Sequence, residues 1–244
     1  MKAMIVAAGL GTRLRPLTDT LPKALVPVGG KPLLEQVIGK LTAAGVTEIV
    51  INVHHFPEQI ISFVEKNDSF GVKIYFSDES DELLETGGGI FKARKWLEGE
   101  PFLVHNVDIL SNLDIKALYA QHLRTNPLAT LVVSERDTFR YFLFDDDTRL
   151  QGWTNIQTGA VKPESLRHAD LYRKLAFSGI QVLSPAVFKL METWPQRFSI
   201  TDFYLQKLKD NTILGFIPEN YTMIDVGKPE TLIQAAQLIK NQYK

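Results

Sequence analysis

Apolar positions follow two alternating periods along the first half of the chain. Lys2 to Ala8 is an almost unbroken apolar run and predicts a buried strand. Pro32 to Ala44 predicts a helix, because Leu33, Leu34, Val37, Ile38 and Leu41 recur at helical spacing between Pro32, suited to a first turn, and Gly45, suited to an end. Glu48 to Val53 predicts a second buried strand, and Pro57 to Asn67 a second helix carrying Ile60, Ile61 and Val64. Val72 to Phe76 follows as a strand, Ile90 to Leu97 as a helix and Phe102 to His105 as a strand. This order implies a parallel sheet with right-handed crossovers and helices on both faces.

The pattern loosens after Asp108. A helix is predicted over Asp114 to Leu123, then strands at Ala129–Ser134, Tyr141–Phe144 and Arg149–Trp153. Asn155 to Asp170 is polar and reads as a long excursion; Ala176–Leu183, Thr212–Ile217 and Tyr221–Ile224 read as strands, and Glu230–Asn241 as a closing helix. The expected fold is therefore α/β, a Rossmann-like and mostly parallel sheet with insertions in its C-terminal half. Without repeats or a Pro/Gly/Ser-rich linker, one domain over 1–244 is expected, with a first half to about residue 110 and a second from 111.

Composition narrows the function classes. At 45% hydrophobic and 23% charged residues, the 244-residue chain has ample material for a core, which rules out disorder as its dominant state. Lys plus Arg is 27 and Asp plus Glu 28, and a net charge of −1 gives no support for a nucleic-acid or anionic-membrane partner. No window approaches the run of about 18 apolar residues that spans a bilayer. Zero cysteines exclude disulfides, thiolate metal sites and cysteine nucleophiles. Met4 to Ala8 is short for a signal peptide and Arg13 and Arg15 follow at once, so a cytoplasmic protein is expected.

The most informative segment is Ala7-Ala8-Gly9-Leu10-Gly11-Thr12-Arg13-Leu14-Arg15-Pro16. It follows a strand directly, at the edge of the sheet where open α/β folds bind ligands. Gly9 and Gly11 permit positive φ and close backbone approach, their N–H groups suit an anion, and Arg13 adds a bidentate phosphate donor. Lys2, Arg13, Arg15, Lys23 and Lys31 stand against only Asp19 in the first 31 residues. Two familiar phosphate motifs fail: Leu14 occupies the third glycine of a dinucleotide fingerprint, which disfavours a nicotinamide dehydrogenase, and no Gly-Lys-Ser/Thr is present.

Ala8 to Thr18, with Leu21-Pro22-Lys23-Ala24-Leu25-Val26-Pro27-Val28, resembles the signature of the sugar-1-phosphate nucleotidyltransferases. The resemblance extends through Asn52-Val53-His54-His55, Glu85-Thr86-Gly87-Gly88-Gly89-Ile90, Asn106-Val107-Asp108, Phe177-Ser178-Gly179-Ile180 and Ile224-Asp225-Val226-Gly227. It is nearest to short bacterial members that transfer uridylyl to N-acetylmuramate 1-phosphate or guanylyl to mannose or heptose 1-phosphate. The resemblance implies a nucleoside triphosphate and a sugar 1-phosphate as substrates and Mg2+ as cofactor. It puts Arg13, Lys23 and Asp108 in catalytic roles. Ala8, Gly9, Gly11, Thr12, Arg13 and Lys23 would hold the triphosphate, and Thr86, Gly87, Gly88 and Asn106 the rest of the nucleotide. Asp108 and Asp225 would hold the metal, and Trp153, Asn155 and Gly179 the sugar phosphate. UTP with N-acetylmuramate 1-phosphate leads. Guanylyl transfer, cytidylyl transfer to phosphocholine and a catalytically silent sugar-nucleotide sensor are the alternatives.

Three departures from the family pattern stand out. Val107 replaces a glycine beside the metal aspartate, so a β-branched side chain must fit there. Trp153-Thr154-Asn155 falls where many members have Glu-Lys-Pro, and Lys162 or Lys174 is left to supply the missing lysine. The chain ends at Lys244, so no hexapeptide-repeat acyltransferase domain is expected. The acidic run Asp78–Glu82 reads as a solvated loop, Asp145–Asp147 as a hairpin turn, and His54 and His55 take no role.

Overall fold

In the computed structural model, which describes residues 1–242, the first half follows the predicted order. β1 (Lys2–Val6) runs through a long loop with a small hairpin, β2 (Pro27–Val28) and β3 (Lys31–Pro32), into α1 (Leu33–Ala43). Then come β4 (Glu48–Val53), α2 (Pro57–Lys66), β5 (Lys73–Asp78), α3 (Glu85–Lys92), α4 (Arg94–Leu97) and β6 (Phe102–Asn106). Strands β5, β4, β1 and β6 lie side by side and parallel. Their carboxyl ends at Val6, Val53, Asp78 and Asn106 therefore share one edge, where the loops of interest emerge.

Both faces of these strands are covered, as their apolar sequence requires. The pleat sends Ala3, Ile5, Ile49, Ile51 and Leu103 into one core cluster. Met4, Val50, Phe102 and Val104 enter the cluster on the other face. Each large side chain so enclosed contributes roughly 1.5–3 kcal/mol.

The second half is β7 (Ile109–Ser111), α5 (Ile115–Thr125), β8 (Ala129–Ser134), β9 (Arg140–Phe144), β10 (Leu150–Asn155), β11 (Ala160–Lys162), β12 (Arg173–Leu183), α6 (Ala186–Met191), α7 (Ile200–Lys207), β13 (Ile213–Phe216), β14 (Met223–Asp225) and α8 (Pro229–Gln242). The long strand β12 joins the two halves: it pairs antiparallel with β6 on one side and with β8 and β9 on the other. β10 and β11 extend the sheet beyond β9, and β13 adds to β8 in parallel. The polar stretch after Asn155 is thus partly a strand, since β11 folds back on β10 as a hairpin. The turn read at Asp145–Asp147 is present, with the Asp145 carboxylate accepting from the Arg149 N–H at 2.8 Å.

One helix begins earlier than its sequence predicts. α3 starts at Glu85 and contains all three glycines, which intrinsic propensity disfavours by about 1 kcal/mol each. Packing overrides that cost. A Cβ on Gly87 would lie 2.4 Å from the Phe198 ring, and one on Gly88 2.2 Å from the Gln196 carbonyl oxygen. Only glycine lets residues 196–198 lie this close to the helix.

Two enclosed histidines give the fold a pH dependence. His105 and His122 are 0% exposed, and burial lowers both from 6.5 to about 4. As pH falls below 6.5 the unfolded chain takes up protons first. The contribution of both neutral rings is complete above that pH and is lost progressively down to about pH 4. We expect the midpoint of thermal unfolding to drop across this window, and His122→Gln to make the drop shallower. An unchanged pH slope in that variant would show that His122 does not titrate with unfolding.

Candidate functional site

The loop after β1 is anchored rather than loose. Leu14 is buried beneath it, in the core. The Leu14 N–H donates to the Gly11 carbonyl at 2.9 Å, and the Thr18 hydroxyl donates to the same carbonyl at 2.8 Å. Of its two glycines only Gly11 adopts positive φ, at 63°. A Cβ there would also press on Thr18 at 2.9 Å and Lys23 at 3.1 Å. Gly9 has ordinary φ, and the space where its Cβ would sit is open. Gly11 thus uses the positive φ that both glycines permit, and Gly9 offers an unobstructed exposed backbone instead. Thr12 and Arg13 are exposed beside it, while Ala8 is buried at 2%.

Asp108 and Asp225 are brought to one edge by a two-stranded ladder, of which the late strand is the one expected near Tyr221–Ile224 and the other, β7, is too short to leave a periodic signal. β14 pairs antiparallel with β7, matching Asp225 with Ile109, and the Val226 N–H donates to the Asp108 carbonyl at 2.8 Å. Lys23, on a short turn between Pro22 and Val26, is 8% exposed and donates to the Asp108 carboxylate in an ion pair. Val107 is 4% exposed in the core, and its N–H continues the β1–β6 ladder by donating to the Val6 carbonyl at 3.1 Å. Its branched side chain therefore packs inward and does not crowd Asp108.

Arg13 and Asp225 meet over Gly227. A Cβ on that glycine would lie 2.7 Å from Arg13 Nη2 and 2.8 Å from Asp225 Oδ1. Asp225 Oδ1 is buried with no hydrogen-bond partner. Burial first, and then repulsion from Asp108, push the Asp225 carboxyl above its usual range; Lys23, Arg13 and Arg136 pull the other way. A divalent cation held by both carboxylates would relieve each of the first two effects. Among the described residues no group of three or more His, Asp or Glu side chains is placed to hold a metal. Two carboxylates with substrate oxygens and water completing the shell is how magnesium is commonly held beside phosphates.

Gly179 lies at a register shift in β12 with φ at 72°. A Cβ there would lie 2.7 Å from Asn106 Nδ2 and 3.3 Å from Ile109. Gly179 therefore makes room for Asn106, two residues before Asp108. Trp153 and Asn155 lie further out on β10. Trp153 packs against the core of one face with Lys162 Nζ 5.8 Å from its ring centre. The Asn155 side-chain oxygen closes the β10–β11 turn, accepting from the Gln157 and Thr158 N–H groups. The two candidate lysines separate. Lys162 is paired with Asp202 at 3.1 Å, whereas Lys174 lines a cavity of about 440 Å3 with Glu135, Arg136, Asp137, Tyr141 and Ile156.

The 85–89 segment is likewise more enclosed than a free loop. The Gly87 and Gly88 N–H groups both donate to the Phe198 carbonyl, at 3.0 and 3.3 Å, and Thr86 is half-buried at the end of the helix. Glu79 departs from the solvated loop expected of its acidic run, for it is 0% exposed. Its carboxylate accepts from Asn52 Nδ2 at 2.7 Å and from the Leu84 N–H at 3.1 Å, while Asn52 Oδ1 accepts from the Ala7 N–H at 2.7 Å. This buried chain ties the end of β1 to the segment leading into α3. His54 joins it through the Glu79 carbonyl at 2.6 Å.

The family described as nucleotidyl transferase matches residues 2–242. The N-acetylmuramate alpha-1-phosphate uridylyltransferase of Neisseria meningitidis serogroup B is 39% identical over 194 residues, covering 79% of this chain and 79% of that protein. The mannose-1-phosphate guanyltransferase of Yarrowia lipolytica is 33% identical over 242 residues, 98% of this chain, which spans 64% of that longer protein. Among solved structures, HddC from Yersinia pseudotuberculosis complexed with GMP-PN superposes with a TM-score of 0.77 at 26% identity, covering 98% of this chain and 99% of its own. With the family match running through the β1 loop, both aspartates and the strands that join them, the chain belongs to the nucleotidyl transferase family.

Proposed function

We propose that the chain transfers a nucleotidyl group from a nucleoside triphosphate to a sugar 1-phosphate, releasing pyrophosphate and forming an NDP-sugar. The observation that carries this reading is the convergence of Lys23 and Arg13, both from the β1 loop, on the Asp108–Asp225 pair. A phosphate oxygen of the acceptor attacks the α-phosphorus. The bond from that phosphorus to the α–β bridging oxygen breaks, and pyrophosphate leaves with the electron pair. The attacking oxygen is already anionic, so no general base is required. The obstacle is charge: two anions must meet while more charge gathers on the leaving group. Positioning and fixed cations supply most of the rate in such reactions.

Each residue then has a physical task. The exposed backbone of Gly9 to Thr12 wraps the triphosphate, and Arg13 takes the leaving phosphates bidentately. Lys23, enclosed and already oriented by Asp108, offers its charge to the reacting phosphate. Asp108 and Asp225 would hold a magnesium ion, which when bound neutralises phosphate charge and orients the reactants. Asn106, held in place against Gly179, stands beside this centre and suits the nucleotide.

UTP with N-acetylmuramate 1-phosphate is the leading substrate pair, favoured by the name of the Neisseria relative. GTP with mannose or heptose 1-phosphate is the second, favoured by the Yarrowia relative and by the GMP-PN in the HddC crystal. The test is pyrophosphate release from each of the four nucleoside triphosphates against a panel of sugar 1-phosphates with magnesium. We expect release only when both substrates are present, fastest with the uridine pair. No release from any pair would leave a silent binding protein as the better account.

A further inference from the structure

We propose that Glu79 is a positioning residue for the nucleotide, setting the start of the β1 loop against the segment that enters α3. It does so through Asn52 and without touching either substrate. The inference rests on the transfer reaction proposed above, with the triphosphate on the β1 loop and the rest of the nucleotide toward Thr86.

The relay from Ala7 through Asn52 and Glu79 to Leu84 is directional, and its direction follows from the donors at its two ends. Ala7 and Leu84 each present a backbone N–H, which can only donate. The Asn52 atom that meets the Ala7 N–H at 2.7 Å is therefore its oxygen, and its amide nitrogen is left to face Glu79, also at 2.7 Å. Glu79 is thus met by a donor on both sides, Asn52 Nδ2 at one oxygen and the Leu84 N–H at the other. Only a side chain with two acceptors and no donor closes such a chain, and a carboxylate is that group. A glutamine would set an amide nitrogen against one donor or the other. Turning Asn52 over would move the mismatch to Ala7 without removing it.

The surroundings leave the relay no slack. Ala7, Asn52, Glu79 and Leu84 are all buried. The Glu79 main chain is held as well: its N–H donates to the Val53 carbonyl at 2.7 Å, and its carbonyl meets His54 Nδ1 at 2.6 Å. A Cβ on Gly89 would lie 2.7 Å from Glu79 Oε1 and 3.2 Å from Asn52 Nδ2, so the third glycine of α3 gives the relay its room. Neither donor to the carboxylate is a cation, and a carboxylate enclosed on neutral donors alone is a costly tie between two loops. What it supplies is position. β4 lies between β1 and β5 and pairs with both, so the relay crosses β4 at Asn52 and sets the two outer loops at a fixed separation. A nucleotide that spans both loops is placed by that separation, and reacting groups tolerate little misplacement.

The test reverses the relay. Glu79→Gln leaves two donors facing each other, and Asn52→Asp alone sets two carboxylates oxygen to oxygen. Asn52→Asp combined with Glu79→Gln restores every bond: the new carboxylate accepts from Ala7 and from the new amide, whose oxygen accepts from Leu84. Kinetics are measured on the substrate pair that releases pyrophosphate, below the thermal midpoint of every variant, and binding of UTP and of GTP is measured by calorimetry without turnover. Each single variant should raise KM for the triphosphate by about tenfold or more, with KM for the sugar 1-phosphate within about twofold of wild type. The double variant should return the triphosphate KM to within about threefold of wild type. Where Glu79→Gln does not fold, Gly89→Ala carries the comparison: its methyl presses on Glu79 Oε1 within a helix that alanine favours, and it should raise the triphosphate KM alone. An unaltered triphosphate KM in the single variants would overturn the assignment. So would an equal rise in both KM values, or a double variant no better than the worse single one. If wild type itself released no pyrophosphate with any pair, the reaction reading would fail instead, and the UTP and GTP affinities of the same variants would still decide the relay.

Discussion

Asp108→Asn is expected to lower kcat by about a thousandfold or more while thermal unfolding stays close to that of the wild type. A bound cation is worth several kcal/mol of charge stabilisation to a phosphoryl centre, and each 1.36 kcal/mol is tenfold in rate. The amide keeps the shape and one oxygen for Lys23 but gives up the anionic charge a cation needs. Asparagine is preferred to alanine because Lys23 is only 8% exposed. A buried ion pair broken on one side costs roughly 3–5 kcal/mol, which would confuse a loss of fold with a loss of chemistry. Turnover within about tenfold of wild type at saturating magnesium would remove Asp108 from the reacting centre.

Gly227→Ala is expected to lower kcat/KM for the triphosphate by about a hundredfold, the scale of an ångström-sized misplacement of reacting groups. The added methyl would lie 2.7 Å from Arg13 Nη2 and 2.8 Å from Asp225 Oδ1, so at least one of them must move. Arg13 is the end of a flexible side chain and yields more easily. Its displacement withdraws charge from the leaving phosphates, and the triphosphate KM should rise more than that of the acceptor. Gly227 has no positive φ, so the substitution introduces a collision without backbone strain. Steady-state kinetics identical to wild type would mean that Arg13 and Asp225 do not work over this glycine.

Much of this centre was legible before any coordinates. The alternation from β1 to β6 can be read because buried parallel strands are continuously apolar and their crossover helices are amphipathic, two patterns that differ over short windows. The β1 loop is informative because its chemistry is local in sequence: glycines, Arg13 and Lys23 lie within one stretch. Other features depend on what touches what. β7 is three residues long and leaves no periodic signal, yet its pairing with β14, the late strand read near Tyr221–Ile224, is what unites Asp108 with Asp225. Glu79 sits among charged neighbours and reads as solvated, and only Asn52 and the Leu84 N–H show why its carboxylate can be enclosed. The glycines of α3 read as a loop because their packing partners, Gln196 and Phe198, are over a hundred positions away.

The central claim is that a nucleotidyl group, and not a terminal phosphoryl group, leaves the triphosphate at the Asp108–Asp225 centre. Tracing phosphorus tests it most directly, with the triphosphate labelled at the α-position in one reaction and at the γ-position in another. The account predicts that the α-label appears in the NDP-sugar and the γ-label wholly in pyrophosphate, in equal amounts and with dependence on the sugar 1-phosphate. Transfer of the γ-label to the sugar, or release of the α-label only as free nucleoside monophosphate, would contradict it.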